Sequence, residues 1–363
     1  MYKKTLLVSV LFTLVVLLLI CNFSCLSGVE GLEVLSGDYN LPELLDIKFD
    51  SSCSISTLFN KEVTVDNISI YQDGDRENPI SVAFDTSGAF TQYNFTLEDK
   101  TVIGKKYILE CCVSDLKGNT LTFESSFNGY NDNKADVIIS EVRNAYSSKD
   151  KKAEFVELYV TKGGNLYGLE LISAADGRDK SYLFGDIQVN RGEYITVHYR
   201  KIKDKEGNYV DKDMIDELGE DLALSKAVDS CDSARDLWID NSSAVLGTSD
   251  ILIVYDNNTC KAVDCLLWQT GDNSGWDDKY TDYLEMVEES GLWSGESVNS
   301  DGMTTVNRSF SRINTESVVL NSDYKNDSSQ WITACITSRK KNETMIQGAT
   351  PGSKNSLNAW TKN

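Results

Sequence analysis

The feature that most constrains the fold is a repeated alternation of apolar and polar residues in short runs. Clusters of Gly, Asn, Asp and Ser separate these runs, as turns separate the strands of a β protein. The predicted strands lie at residues 63–71, 90–97, 107–113, 137–142, 155–160, 194–199 and 251–255. Two segments, 214–227 and 280–293, have helical spacing instead. The sequence therefore predicts an all-β chain that carries two inserted helices.

The first 25 residues have the composition of an export signal. Lys3 and Lys4 precede an apolar run at 6–20 that is too short to be read as a membrane span, and Ser24 stands directly before Cys25. A small residue before a cysteine resembles the lipobox of bacterial lipoproteins, although Asn22 and Phe23 depart from its usual residues. The resemblance implies lipidation of Cys25. The alternatives are an ordinary signal cut nearby and an uncleaved anchor helix, and each leaves the remaining chain exported.

The charge of the chain argues against nucleic acid as a partner. The formal net charge is −21, and removal of Lys3 and Lys4 with the signal brings it to −23. Such a charge repels phosphate groups and anionic lipid head groups. The remaining residues suffice for two or three domains.

The segment 32–128 ends in a pattern that resembles a known module. A strand at 107–113 is followed by Asp115, then by Gly118 and Asn119, which tolerate the positive φ of a tight turn, and by a second strand. This order resembles the Ig-like module of bacterial surface and S-layer proteins (SbsA type). The resemblance implies a β-sandwich that serves as a spacer or interaction module and has no catalytic residues. A polar linker follows at 129–136.

The segment 137–357 resembles the lamin tail domain, an Ig-like β-sandwich. The resemblance rests on motifs in the family's order, at 137–142, 154–159, 166–171, 182–184, 192–197, 251–256 with 263–264, 309–312 and 350–352 with Asn355. Residues 200–245 and 272–300 are predicted to be insertions. The predicted fold is thus two Ig-like sandwiches in tandem, the second with partly helical insertions. Some lamin tail domains contact DNA and others accompany nucleases, but this copy is acidic and has no nuclease motif.

Two glutamates and one arginine form the predicted polar motif of this second segment. Glu141 and Glu157 lie at two strand positions, where two carboxylates are able to form an acid/base pair or part of a metal site. We favour a structural role, in which both accept hydrogen bonds from the backbone or from Arg312.

The sequence does not favour catalysis. The single histidine, His198, is predicted to lie on a half-exposed strand face, away from a nucleophile, and no hydrolase or zinc motif is present. The alternative is an exported hydrolase that uses carboxylates or Ca²⁺ in the insertion loops, at 204–208 or 272–278. Neither loop has EF-hand spacing, so we predict no metal and no cofactor.

Cysteines and tryptophans supply the remaining candidates. Alternation places Cys53 and Cys111 on the inward face of the first sandwich, and we predict a disulfide between them; buried free thiols are the alternative. Trp268, Trp276 and Trp293 cluster near the second insertion. If exposed they are suited to contact a glycan or a protein, although burial is favoured.

Together these features predict a non-enzymatic lipoprotein of the cell envelope, at the outer membrane or cell surface. Its Ig-like spacer would present the lamin-tail-like domain to a protein or glycan.

Overall fold

The computed structural model describes residues 40–204, 206–271, 275–301, 303, 305–335 and 349–355. Cys25 and the predicted export signal lie outside these residues. The chain forms two compact units: the first contains the described residues up to Lys100 together with Lys106–Phe127, and the second contains Thr101–Lys105 and the residues from Asn128 onward. Strands make up 44% of the structure and helices 8%, so the predicted all-β fold is confirmed. No helix in the described part of the chain is both long and apolar enough to cross a membrane.

The first unit is built around one long strand. Its strands are β1 (Leu44–Ser51), β2 (Ser54–Gln72), β3 (Val82–Ala83), β4 (Phe90–Leu97), β5 (Lys106–Asp115) and β6 (Thr120–Asn128). They are ordered β3-β4-β2-β5-β6, and β1 also pairs with β2. The first part of β2 pairs with β4 and the second part with β5. Its inward side chains, such as Ile55, Val63 and Ile70, form the core with Phe95 and Leu109.

The predicted turn between β5 and β6 is present. Gly118 has φ 83°, and the Asp115 carboxylate accepts hydrogen bonds from the backbone N–H groups of Lys117 and Asn119, both at 2.9 Å. The hydrogen bond from the Asn119 side chain, reinforced by these backbone bonds, lowers the pKa of Asp115 to about 2.

The predicted disulfide of the first unit is not formed. Cys53 and Cys111 are free thiols. Cys53 lies just before β2, with its Sγ 3.5 Å from the Ser51 Oγ, whereas Cys111 pairs with Ile68 near the other end of β2. A disulfide requires Cα atoms within about 7 Å. The alternation of inward and outward side chains correctly placed both thiols toward the core. It carried no information about how far apart they lie along the strand.

The second unit is a sandwich of two larger sheets. Its strands are β7 (Asp136–Arg143), β8 (Phe155–Lys162), β9 (Gly164–Asn165), β10 (Leu169–Ser173), β11 (Tyr182–Leu183), β12 (Gln188–Val189), β13 (Tyr194–His198), β14 (Arg235–Trp238), β15 (Asp250–Asp256), β16 (Lys261–Gln269), β17 (Trp293–Ser294), β18 (Val298–Asn299), β19 (Arg308–Arg312), β20 (Asn326–Asp327) and β21 (Trp331–Cys335). One sheet has the order β14-β13-β8-β7-β19-β21 and the other β11-β10-β15-β16-β18. Their facing side chains form one apolar core.

The helix of the second unit covers the outer face of the five-stranded sheet. Helix α1 (Thr281–Ser290) lies within the segment predicted to be helical, and it ends at Gly291, whose φ is 64°. Because side chains alternate along β15, Leu252 faces the sandwich core, whereas Ile251 packs outward in a second cluster with Val287 of the helix. The helix therefore lies where the strand has a second apolar face.

The predicted helix at 214–227 is wrong. This segment has no regular secondary structure, and the 3₁₀ turn at Asp211–Asp213 ends just before it. It runs beside β14, where the Glu217 carboxylate accepts the N–H of Asp236 at 2.7 Å and the Asp216 carboxylate accepts that of Trp238 at 2.6 Å. These carboxylates cover a strand edge that would otherwise expose its N–H groups.

Candidate functional site

An open cleft of about 370 Å³ lies at the end of the β15–β16 pair. Ser249 precedes β15, Gln269 ends β16, and the chain leading into α1 supplies Trp276 and Tyr280. Sheet ends and inserted segments thus form its walls together. We call it the Trp276 cleft.

Tyr280 is the fixed wall of the Trp276 cleft. It is buried, and its hydroxyl donates a hydrogen bond of 2.7 Å to the Ser249 carbonyl. Burial raises its pKa to about 12, so the phenol keeps this proton even in moderately alkaline solution. Trp276 rests edge-on against it, with ring centroids 5.0 Å apart and an interplanar angle of 66°. The half-buried indole is thereby held in place beside the opening.

Polar groups frame the aromatic pair. The Gln269 amide donates to the Gly275 carbonyl at 3.0 Å and accepts from the Ser297 hydroxyl at 3.2 Å, which fixes the chain on either side of the cleft. The Lys279 ammonium lies 4.7 Å from the Tyr280 ring centroid. The exposed Asp277 also lines the cleft. The arrangement combines one apolar ring with a frame of amide, hydroxyl and carboxylate groups, as ligand pockets often do.

The other two predicted contact residues lie elsewhere. Trp268 is fully buried in the sandwich core, and its Nε1 donates to the Gly247 carbonyl at 3.1 Å. Trp293 is half-buried and packs against both apolar clusters of the second unit. Of the predicted group, Trp276 lines the cleft. Tyr280, Gln269 and Asp277 were not predicted as site residues, since only the fold brings them to Trp276.

Glu141 and Glu157 form a buried pair. They are register partners on β7 and β8, and neither is exposed to solvent. Glu141 accepts from the hydroxyls of Ser309 and Ser311, each at 2.7 Å, and from the backbone N–H of Thr350 at 2.7 Å. These three bonds hold the Glu141 carboxylate against β19 and the C-terminal turn.

Glu157 is held differently from Glu141. It accepts from the Gly352 N–H at 2.6 Å through Oε2, whereas its buried Oε1 has no hydrogen-bond partner. Burial, together with the charge of Glu141, raises the pKa of Glu157 well above its usual value. Burial also raises the pKa of Glu141, against the opposing effect of its donors. The C-terminal turn covers the pair, since the backbone N–H groups of Thr350 and Gly352 bond one glutamate each.

The predicted bond from Arg312 to these glutamates is not formed. Because side chains alternate along β19, Ser309 and Ser311 face Glu141, whereas Arg312 points to the opposite side. There its guanidinium bonds to the Asp264 carboxylate at 2.9 and 3.2 Å. Arg312 and Asp264 belong to different sheets, so this buried ion pair links the two sheets of the sandwich.

The prediction of a half-exposed His198 is wrong. The imidazole is buried and stacks on Trp238 with ring centroids 3.9 Å apart. Its Nε2 lies 2.7 Å from the Asp236 carboxylate, and its Nδ1 has no hydrogen-bond partner. Strand β14 pairs with β13 from within the first insertion and covers this face, an arrangement that local alternation does not reveal. Neither nitrogen is bonded to a hydroxyl or thiol nucleophile.

Side chains that could ligate a metal ion do not cluster among the described residues. No group of three or more His, Cys, Asp or Glu residues that could hold a metal ion occurs among the described residues. In the acidic loop at 204–208, the Asp204 carboxylate accepts the Asn208 N–H at 2.8 Å and thereby closes the turn.

Solved structures match this chain at low similarity. The N-terminal part of the bacterial S-layer protein SbsC aligns with a TM-score of 0.21 and 16% identity, over 63% of this chain and 44% of that one. A DUF4876 family protein from Bacteroides thetaiotaomicron aligns with a TM-score of 0.31 and 10% identity, over 82% and 95%.

Sequence comparison matches the chain to a relative and to a family model. An uncharacterized protein of Treponema pallidum (strain Nichols) is 31% identical over 170 residues, which cover 47% of this chain and 40% of that relative. The chain thus spans less than half of the relative's length. A family model described as TP_1001_2nd, protein second domain, matches residues 135–333, more than half of the chain. The chain therefore belongs to the TP_1001_2nd family.

Proposed function

We propose that this protein is a non-enzymatic, exported lipoprotein of the cell envelope that binds a protein or glycan ligand in the Trp276 cleft. The observation that carries the proposal is the cleft itself, in which a held aromatic side chain stands beside polar groups. In this proposal Cys25 carries the lipid anchor, at the outer membrane or cell surface. The Ig-like first unit is the spacer, and the lamin-tail-like second unit presents the cleft.

The burial of the acidic pair supports binding over hydrolysis. An exported hydrolase that uses two carboxylates needs them at a surface that substrate can reach. Glu141 and Glu157 are instead covered by the C-terminal turn and bonded to its backbone. We propose that they act structurally, and that the protein works without a cofactor or nucleic acid.

Binding of the full-length protein to envelope material tests this function. Wild type is expected to bind isolated envelopes, and Trp276→Ala is expected to lose most of that binding. Tyr209→Ala is the matched control, because it removes another partly exposed aromatic side chain, 38% exposed, from the first insertion. Equal binding by wild type and Trp276→Ala would refute a role for the cleft.

The anchor is tested separately by the mass of the native N-terminal peptide. A diacylated Cys25 is expected. An unmodified N-terminus downstream of Cys25 would refute anchoring and leave the binding proposal standing.

A further inference from the structure

We infer that the ligand of the Trp276 cleft is an uncharged sugar, either a single unit or the end of a short glycan. This inference rests on the proposed binding function and deepens it. A pyranose ring has an apolar C–H face and a rim of hydroxyl groups. The cleft has the complementary arrangement, with an indole ring beside groups that donate and accept hydrogen bonds.

The aromatic wall is suited to stacking because it is ordered before a ligand arrives. Tyr280 is anchored by its bond to the Ser249 carbonyl, and Trp276 is held edge-on against it. Little side-chain entropy then remains to be lost when a ring packs on the indole. A mobile surface tryptophan would bind more weakly for the same contact.

The polar frame favours a hydroxyl-rich ligand over an apolar one. Thr248, Gln269 and Asp277 line the same opening, and their side chains combine hydroxyl, amide and carboxylate groups. An apolar side chain of a partner protein would desolvate the exposed Asp277 carboxylate without bonding to it, which costs free energy. Sugar hydroxyls both donate and accept, so they are able to replace the water that such groups lose.

The negative charge at the cleft argues against acidic sugars as ligands. Asp277 lines the cleft, and the next residue, Asp278, is also exposed. Among the residues that line the cleft, Lys279 carries the positive charge; its ammonium donates to the Ala175 carbonyl at 3.1 Å and lies over the Tyr280 ring. A uronic acid or a phosphorylated sugar would therefore be repelled. The volume of about 370 Å³ lies near the lower end of the usual range for ligand pockets, which suits a short ligand.

The test measures binding of a panel of neutral, amino and acidic mono- and disaccharides to the full-length protein, in a detergent without a sugar head group. At least one neutral sugar is expected to bind. Trp276→Ala should weaken that binding by about tenfold or more, as the loss of a stacking aromatic residue does for other ring ligands. Asp277→Asn should improve binding of the acidic counterpart, and Tyr209→Ala should change neither.

Envelope binding separates failure of this inference from failure of the proposed function. Periodate cleaves vicinal diols of sugars, whereas a broad protease removes protein ligands. Loss of Trp276-dependent binding after periodate, with retention after protease, is the expected result. Trp276-dependent binding that is lost only after protease would overturn the sugar inference and leave the binding function intact. Envelope binding that is independent of Trp276 would overturn both.

Discussion

At the scale of single residues, the two buried glutamates differ in their hydrogen bonding. Glu141 accepts three short hydrogen bonds, which favour its ionised form, whereas Glu157 has one carboxylate oxygen without a partner. The sequence predicted a structural role for both residues from their motifs. It did not predict that they would be register partners, because β7 and β8 align only through the bulge between Ile139 and Glu141.

The pair is expected to make stability depend on pH. The raised pKa of Glu157 means that the folded state binds a proton more tightly than the unfolded chain, whose value is near 4.5. This stabilisation is complete below the unfolded pKa and is lost as pH rises through the folded pKa. Glu157→Gln keeps an oxygen for the Gly352 N–H but does not ionise. Its Tm relative to wild type should therefore rise between about pH 4 and about pH 8.

Glu289→Gln is the matched control for that measurement. Glu289 is exposed on α1 in the same unit, so its substitution changes the same formal charge without relieving burial. Its Tm difference from wild type should stay nearly constant across the pH range. A Glu157→Gln curve parallel to that of wild type would show that Glu157 is not protonated preferentially in the folded state.

At the scale of elements, alternation located the strands well, whereas helical spacing was a less certain guide. Helix α1 has the predicted spacing and a sheet face to pack on, with Val287 buried against it. The segment 214–227 has Ile215 and Leu218 at similar spacing, yet both side chains are exposed. What fixes this segment is its backbone and acidic side chains along β14. The spacing of apolar residues within a segment cannot predict such long-range contacts.

Glu217 is expected to hold the first insertion against the sheet. Its carboxylate accepts the N–H groups of Leu224, Ser225 and Asp236 at 2.7–3.0 Å. Glu217→Ala leaves these donors without their acceptor, at a cost of about 1–3 kcal/mol for each group that stays buried. Amide hydrogen exchange should accelerate at these three residues, and the Tm should fall.

The neighbouring exposed Glu220 supplies the control for this element. Glu220→Ala removes the same charge from the insertion without removing an acceptor that the structure assigns to these amides. Its exchange pattern should match that of wild type. Unchanged protection of the three amides in Glu217→Ala would show that the insertion holds its position without the carboxylate.

At the scale of the whole molecule, the two units have separate apolar cores. Leu109 is fully buried in the core of the first, whereas Gly352 closes the C-terminal turn of the second. Chains with more than one cooperative unit depart from two-state unfolding. We expect calorimetry of the protein to resolve two transitions that respond to different substitutions.

Leu109→Ala should lower one transition, since truncation of a buried leucine costs about 2–5 kcal/mol. Gly352→Ala should lower the other, because Gly352 has φ 77° and an added Cβ would lie 2.5 Å from the Cys231 Cβ. Gly295→Ala distinguishes backbone strain from steric clash, because Gly295 has φ 79° but no atom lies within 4 Å of an added Cβ. It should lower the second transition by less than Gly352→Ala does. If Leu109→Ala and Gly352→Ala moved one shared transition equally, the two cores would unfold as a single cooperative unit.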